Sequence, residues 1–148
     1  MTTLRGAHTE NFVRVGVAVL VRRGGRLLMG LRKGSHGAGT WSVPGGSLLP
    51  EESVTACAVR ELREETGLDA PLVSAVPVGF TDRVYDAGTG QHFATLYVLV
   101  YPDGEPRVAE PDKCERWEWV ERDDLRARFE SFATFVRERG TLAVWGPR

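Results

Sequence analysis

Between Ser53 and Gly67 the chain runs without a single glycine or proline, and this interval most restricts the folds open to it. Ser53 offers a side-chain oxygen to the first free amides of a helix, and Gly67 can take the left-handed conformation that ends one. The sequence therefore predicts a helix over residues 54–66. On its wheel Thr55, Ala58, Val59 and Leu62 form an apolar arc that must dock on another layer. Beside that arc Glu61, Glu64 and Glu65 crowd within about 100° of one another. Three carboxylates so placed repel, and nothing is gained by grouping them unless a multivalent cation or a basic partner neutralises them. Metal-dependent chemistry competes at this stage with a simpler reading, a solvated acidic face.

The flanking sequence supplies the layer. Residues 13–21 are β-branched and almost continuously apolar, as expected of a strand buried on both faces, and residues 22–26 turn it into a second short run at 27–29. A glycine-rich basic loop follows at 32–39, then a short strand at 40–43 and a turn at Pro44, Gly45 and Gly46. Further strands are expected at 73–81, 92–101 and 115–120, joined by loops at 82–91 and 102–113. Asp123 is placed to cap a short helix reaching Arg128, and Ser131 a second one reaching Arg139. This order implies an α/β fold: a mixed β-sheet with the acidic helix on one face and a C-terminal helix on the other, an α/β/α sandwich.

With 148 residues the chain has the size of one domain, and residues 1–11 are expected to be a flexible N-terminus. A formal net charge of -1 gives no global attraction to a nucleic acid polymer or an anionic membrane, so any phosphate binding must be local. Cys57 and Cys114 have neither zinc-site spacing nor disulfide density, which fits a reducing, cytoplasmic setting. The N-terminus lacks an apolar signal core, and the longest apolar run, 15–21, is too short to span a bilayer.

Read from Gly46, the pattern is glycine, five residues, Glu52, seven residues, Arg60-Glu61-Leu62, one residue, Glu64-Glu65, one residue, Gly67-Leu68. It resembles the Nudix box at every defining position. The resemblance implies a hydrolase that splits a nucleoside diphosphate linked to another group, using Mg²⁺ or Mn²⁺ and water, in a Nudix-like α/β/α sandwich. Hydrolysing a diphosphate needs positive charge on its oxygens and a positioned water, and clustered hard cations supply both. On this reading Glu61 and Glu65 are the firmest metal ligands and Glu64 shares a second metal. Glu52 holds a metal-bound water, and Arg60 orients a carboxylate and offsets the repulsion. A Nudix-like domain that binds a nucleotide without cutting it is the non-enzymatic alternative.

The stretch from Arg32 and Lys33 to Trp41, the Pro44-Gly45-Gly46 turn, and the later run from Glu110 to Trp119 resemble the MutT-related nucleoside triphosphate diphosphatases, over about residues 13–125. The reaction implied is water attack on a nucleotide, giving a nucleoside monophosphate and pyrophosphate, in a protein expected to form a homodimer. The basic loop is then either a flexible solubilising turn or a phosphate clamp in which Arg32 and Lys33 add charge and Gly45 and Gly46 admit close backbone approach. Glu115 is either a plain loop acid or the glutamate that in such relatives nears the metals and acts as general base. Trp117 and Trp119 share strand parity, which favours core packing over base stacking. His36 and His92 lack the spacing of a metal pair.

Two departures bear on the substrate. Relatives with this loop continue Pro-Gly-Gly-His-Leu-Glu, where this chain has Ser47, Leu48 and Leu49. They carry Phe-Trp-(Gly or Pro)-Leu where it has Phe129, Glu130, Ser131 and Phe132. Base recognition is thereby open: a prenyl diphosphate favoured by Phe80, Phe93, Phe129 or Phe132, ADP-ribose, or a nucleotide sugar stand as alternatives. The chemistry at the diphosphate rests on the box itself.

Overall fold

The computed structural model describes residues 12–34, 38–86 and 91–128. Its centre is β1 (Val13–Arg23), which pairs in parallel with β6 (Gln91–Val100) along one edge, Val13 opposite His92 and Val21 opposite Val100. Outside β6 lies β5 (Val76–Asp86), antiparallel to it. The other edge of β1 is divided. Its last residues pair with β2 (Arg26–Arg32) only at Arg22↔Leu27 and Arg23↔Arg26, while Gly16, Val17 and Ala18 pair with β4 (Gly45–Ser47). Strand β2 swings away from β1 and carries β3 (Trp41–Ser42) and β7 (Cys114–Glu121) with it, both antiparallel. The mixed sheet therefore forks, and a notch opens between Gly16–Ala18 of β1 and Gly30–Arg32 of β2.

Both faces of the sheet are covered. On one, α1 (Val54–Thr66) buries Cys57, Ala58, Val59 and Leu62 against Val17, Val19, Val21 and Val98. On the other, Leu20, Leu27, Met29, Tyr97 and Leu99 meet Leu125, which opens the short helix α2 (Leu125–Arg128). The predicted two-faced burial of the first strand holds from Val17 onward, whereas Val13 and Val15 are exposed. The α1 ends are as the sequence requires: Ser53 Oγ accepts from the Ala56 amide at 3.1 Å, and Gly67, at φ 72°, donates its amide to the Arg63 carbonyl at 2.9 Å.

Three boundaries differ from expectation. The strand expected at 73–81 starts at Val76 because Leu72–Ser74, entered from Pro71, wind into a single 3₁₀ turn that leaves Val73 fully in solvent; it then continues to Asp86, into the stretch expected to be a loop. The turn expected at Pro44–Gly46 is strand β4 from Gly45 onward. Absent side chains allow it: a β-carbon on Gly45 would stand 2.3 Å from the Val17 carbonyl oxygen. Asp123, expected to cap a helix, lies within a 3₁₀ turn, Arg122–Asp124, that leads straight into α2. The helix expected from Ser131 and the N-terminal segment 1–11 lie outside the described residues.

Candidate active site

The notch between β1 and β2 is the mouth of a cleft of about 880 Å³. One wall is the acidic face of α1, with Glu61, Glu64 and Glu65. Arg32 and Lys33, at the end of β2 and just beyond it, line the cleft too, as do Glu110, Asp112 and Lys113, just before β7. The floor is β1 and β4 backbone at Gly16, Gly45 and Gly46, flanked by Phe93, Thr95 and Tyr97 of β6. Gly46 bears directly on the acids: a β-carbon there would lie 2.1 Å from Glu61 Oε1, so the buried carboxylate occupies space only glycine leaves.

Arg60 organises the α1 carboxylates. Its Nε donates to Glu52 Oε1 at 2.6 Å and its Nη2 to Glu52 Oε2 at 3.0 Å, a bidentate pair. Nη1 reaches Glu61 at 2.8 Å and Glu64 at 3.3 Å, and Nη2 also reaches the Ser47 carbonyl at 3.2 Å, tying β4 to the helix. The Arg60 guanidinium holds the Glu52 carboxyl down to about 2, assisted by the Leu49 amide at 3.1 Å. Glu52 is thus committed to Arg60 and to closing the loop before α1; neither residue lines the cleft. In that loop Glu51 adopts a left-handed φ of 63°, a conformation natural to glycine.

Glu65 is the opposite case. Burial, with the charge of Glu61 added, pushes its carboxyl up to about 8, although the Gly45 amide donates to it. That setting favours a cation. The acidic wall offers carboxylate oxygens, the donors a hard divalent ion prefers, and the glycine cradle at Gly46 gives Glu61 its place. Among the described residues no three acidic, histidine or cysteine side chains already converge as a cage, Arg60 instead gripping Glu61 and Glu64. The donor set fits a divalent cation held by Glu61, Glu64 and Glu65 once those contacts rearrange.

Glu115 stands apart. It occupies the bulge of β7, where Leu31 pairs with Arg116 and Arg32 with Cys114, and its exposed carboxylate pairs with Arg116 at 2.8 Å, away from the cleft lining. The acids this stretch does bring to the cleft are Glu110 and Asp112, to which sequence reasoning gave no role. The Arg107 and Ala109 amides donate to the last carbonyls of α1, at Thr66 (2.8 Å) and Glu65 (3.2 Å), so the chain carries Glu110 in beside Glu65. The signal was present in the closely spaced charges Glu110, Asp112 and Lys113. Gly16 was likewise readable, as a lone glycine inside a β-branched run.

Aromatic residues divide. Trp117 packs on the core beneath α1 and also forms part of the cleft wall, its ring lying over Gly30, where a β-carbon would come within 2.6 Å. Trp119 packs on the same core beneath the Arg23 guanidinium, 4.3 Å from the ring centre. Phe93 lines the cleft, Phe80 does not, and Phe129, Phe132 and His36 lie outside the described residues. His92 is on β6, outside the lining.

Comparison with known proteins agrees with this geometry. The NUDIX domain family model matches residues 11–138. The crystal structure of a MutT NUDIX hydrolase from Burkholderia pseudomallei superposes with a TM-score of 0.77 at 34% identity, over 88% of this chain and 99% of that one. Its fold carries the α/β/α arrangement seen here. An RNA pyrophosphohydrolase of Erythrobacter litoralis is 28% identical over 122 residues, 72% of this chain and 74% of its own. The CTP pyrophosphohydrolase of Escherichia coli is 44% identical over 55 residues, 36% of this chain and 41% of its own. With the box residues gathered on one helix over a glycine-floored cleft, and the family matched across nearly the whole length, the chain belongs to the Nudix hydrolases, enzymes that cut pyrophosphate bonds.

Proposed function

We propose that this protein hydrolyses a nucleoside or deoxynucleoside triphosphate, ordinary or modified, to the monophosphate and pyrophosphate, with Mg²⁺ or Mn²⁺ bound by Glu61, Glu64 and Glu65. Nudix hydrolases generally use divalent metal ions. The observation that carries the proposal is the meeting of both charges in one cleft: the α1 carboxylates and the cations Arg32, Lys33 and Lys113 line a common volume of about 880 Å³, which accommodates a nucleotide. The bound cation supplies Lewis-acid charge at the phosphate oxygens and activates water. The protein's own groups do the rest: Arg32 and Lys33 orient the phosphates, Gly45 and Gly46 admit them to the backbone, and Arg60 and Glu52 hold the acidic wall in register. Glu110, which lines the cleft near Glu65, takes a proton from water in this reading, in preference to Glu115, which is not among the lining residues.

The resemblance to an RNA pyrophosphohydrolase adds one further substrate, a 5′-triphosphorylated RNA, which presents the same phosphoanhydride. Net charge favours the free nucleotide, since a polymer gains little from a chain at -1. The test is product analysis with Mg²⁺ or Mn²⁺ over NTPs, dNTPs, oxidised nucleotides, 5′-triphosphorylated RNA, ADP-ribose, nucleotide sugars and prenyl diphosphates. Pyrophosphate released from a nucleotide supports the proposal, and cleavage of only a non-nucleotide diphosphate overturns it. The expected state is a homodimer in the cytoplasm: the free thiols of Cys57 and Cys114 suit a reducing compartment, and light scattering measures the mass. No helix among the described residues is long and apolar enough to cross a membrane.

A further inference from the structure

Lys113 lines the cleft with Arg32 and Lys33, and its ammonium is paired with an acid of that cleft. The ammonium donates to Glu110 at 3.0 Å, and its positive charge also acts on Asp112 and Glu65, so it sits among the acids of the cleft. Its backbone is fixed from two directions. The Lys113 and Cys114 amides both donate to the Glu110 carbonyl, at 3.0 and 3.1 Å, and the Lys113 carbonyl accepts the Lys33 amide at 2.9 Å. Its side chain is not fixed, being 67% exposed. An exposed lysine–glutamate pair three residues apart adds little to stability, so the ammonium can leave Glu110 at small cost.

We infer that Lys113 is an exchangeable counter-ion: it pairs with Glu110, beside Glu65, before a divalent cation is bound, then turns its ammonium to the substrate's phosphates. Two physical relations drive the exchange. Positive charge arriving on Glu65, beside Glu110, weakens the hold on the ammonium and repels it. The Lys113 stem starts beside that of Lys33, the two being joined by a main-chain hydrogen bond, so the released head swings from a fixed base into the space the phosphates take. Its second half rests on the triphosphate reading above; its first half does not.

The experiment compares wild type with Lys113→Met and Lys113→Arg, each checked by thermal melting. Free Mn²⁺ is titrated by electron paramagnetic resonance without nucleotide, and steady-state kinetics then follow at saturating Mg²⁺. Removing the competing charge in K113M should tighten Mn²⁺ binding about 3–10-fold, with K113R near wild type. The same variant should raise KM for the nucleotide about tenfold with kcat within about threefold, the mark of a lost phosphate contact. Mn²⁺ affinity that is unchanged or weaker in K113M overturns the counter-ion role, and an unchanged KM overturns the phosphate role. Should wild type cleave no nucleotide, the substrate reading falls, while the Mn²⁺ comparison still decides the counter-ion role.

Discussion

The carboxylate of Glu61 rests where residue 46 would carry a β-carbon, 2.1 Å from its Oε1. At Gly45, one position earlier, the obstacle is main chain, the Val17 carbonyl oxygen at 2.3 Å. The two glycines should therefore fail differently. Gly46→Ala displaces the end of a flexible side chain, so it should keep stability within about 1 kcal/mol yet lower kcat/KM by roughly 100-fold. Gly45→Ala has to push β4 off β1, and a loss of about 2 kcal/mol or more is expected. Urea unfolding alongside kinetics on the two variants separates these outcomes; equal effects on stability would contradict the assignment.

Arg60 and Glu52 should set the acid limb of stability. Glu52 titrates near 2 in the folded protein, below an ordinary carboxyl near 4.5. The folded state therefore binds fewer protons than the unfolded one, and this contribution is present above pH 4.5 and lost as pH falls through about 2. Glu52→Gln should destabilise clearly at pH 7 and much less at pH 3. Arg60→Met, which leaves Glu52, Glu61 and Glu64 without their shared cation, should cost more, on the order of 3 kcal/mol. Denaturation midpoints across pH for the three proteins check both statements.

Glu65 runs with the opposite sign. Its carboxyl is raised to about 8 in the metal-free fold, so it favours folding below about pH 4.5 relative to high pH, and that advantage is lost as pH rises through 8. Glu65→Gln should melt several degrees higher than wild type in chelator at pH 8.5, with little difference at pH 5, while losing most turnover. A variant no more stable than wild type at pH 8.5 would refute the burial argument.

Glu110 and Glu115 give a direct contrast. One lines the cleft beside Glu65, and the other points outward to Arg116. Glu110→Gln should reduce kcat by roughly 10–100-fold, and Glu115→Gln should change it less than about threefold. Rates at saturating substrate and metal decide between them, and the reverse ranking would return the general-base role to Glu115.

What the sequence made legible follows from what is local. Helix α1 could be read to the residue because its start, stop and apolar arc all lie within fifteen positions, and the box spacing sits on that helix. The mixed sheet followed from strand order. Less legible were features made by contacts between distant segments. Glu115 reads from the chain either as a loop acid or as a general base; in the fold it sits at a bulge paired with Arg116, and the cleft lining holds Glu110 instead. The bidentate pair of Glu52 with Arg60, eight residues on, joins a loop to the helix and had no local signal either. The glycine pair at 45 and 46 read as a turn because its role as a strand depends on β1, which no local pattern names.

Glu51 offers a test of backbone strain. Its φ of 63° costs a residue with a side chain roughly 1 kcal/mol that glycine does not pay. Glu51→Gly should thus raise the melting temperature by about 1–4 °C, the gain being reduced by the extra freedom of the unfolded chain. Calorimetry measures it, and a lower melting temperature would count against the strain.

The fork in the sheet has one more consequence. Where β1 and β2 part, the cleft is bounded by Gly16, Gly30, Gly45 and Gly46, so much of its surface is bare main chain. Any single substitution at these four positions adds atoms and none removes any. At Gly16, where a β-carbon would meet nothing closer than 3.6 Å, the added atoms can only narrow the cleft. At Gly30, Gly45 and Gly46 they must first move Trp117, β1 or Glu61, so three of the four positions reshape the site before they fill it.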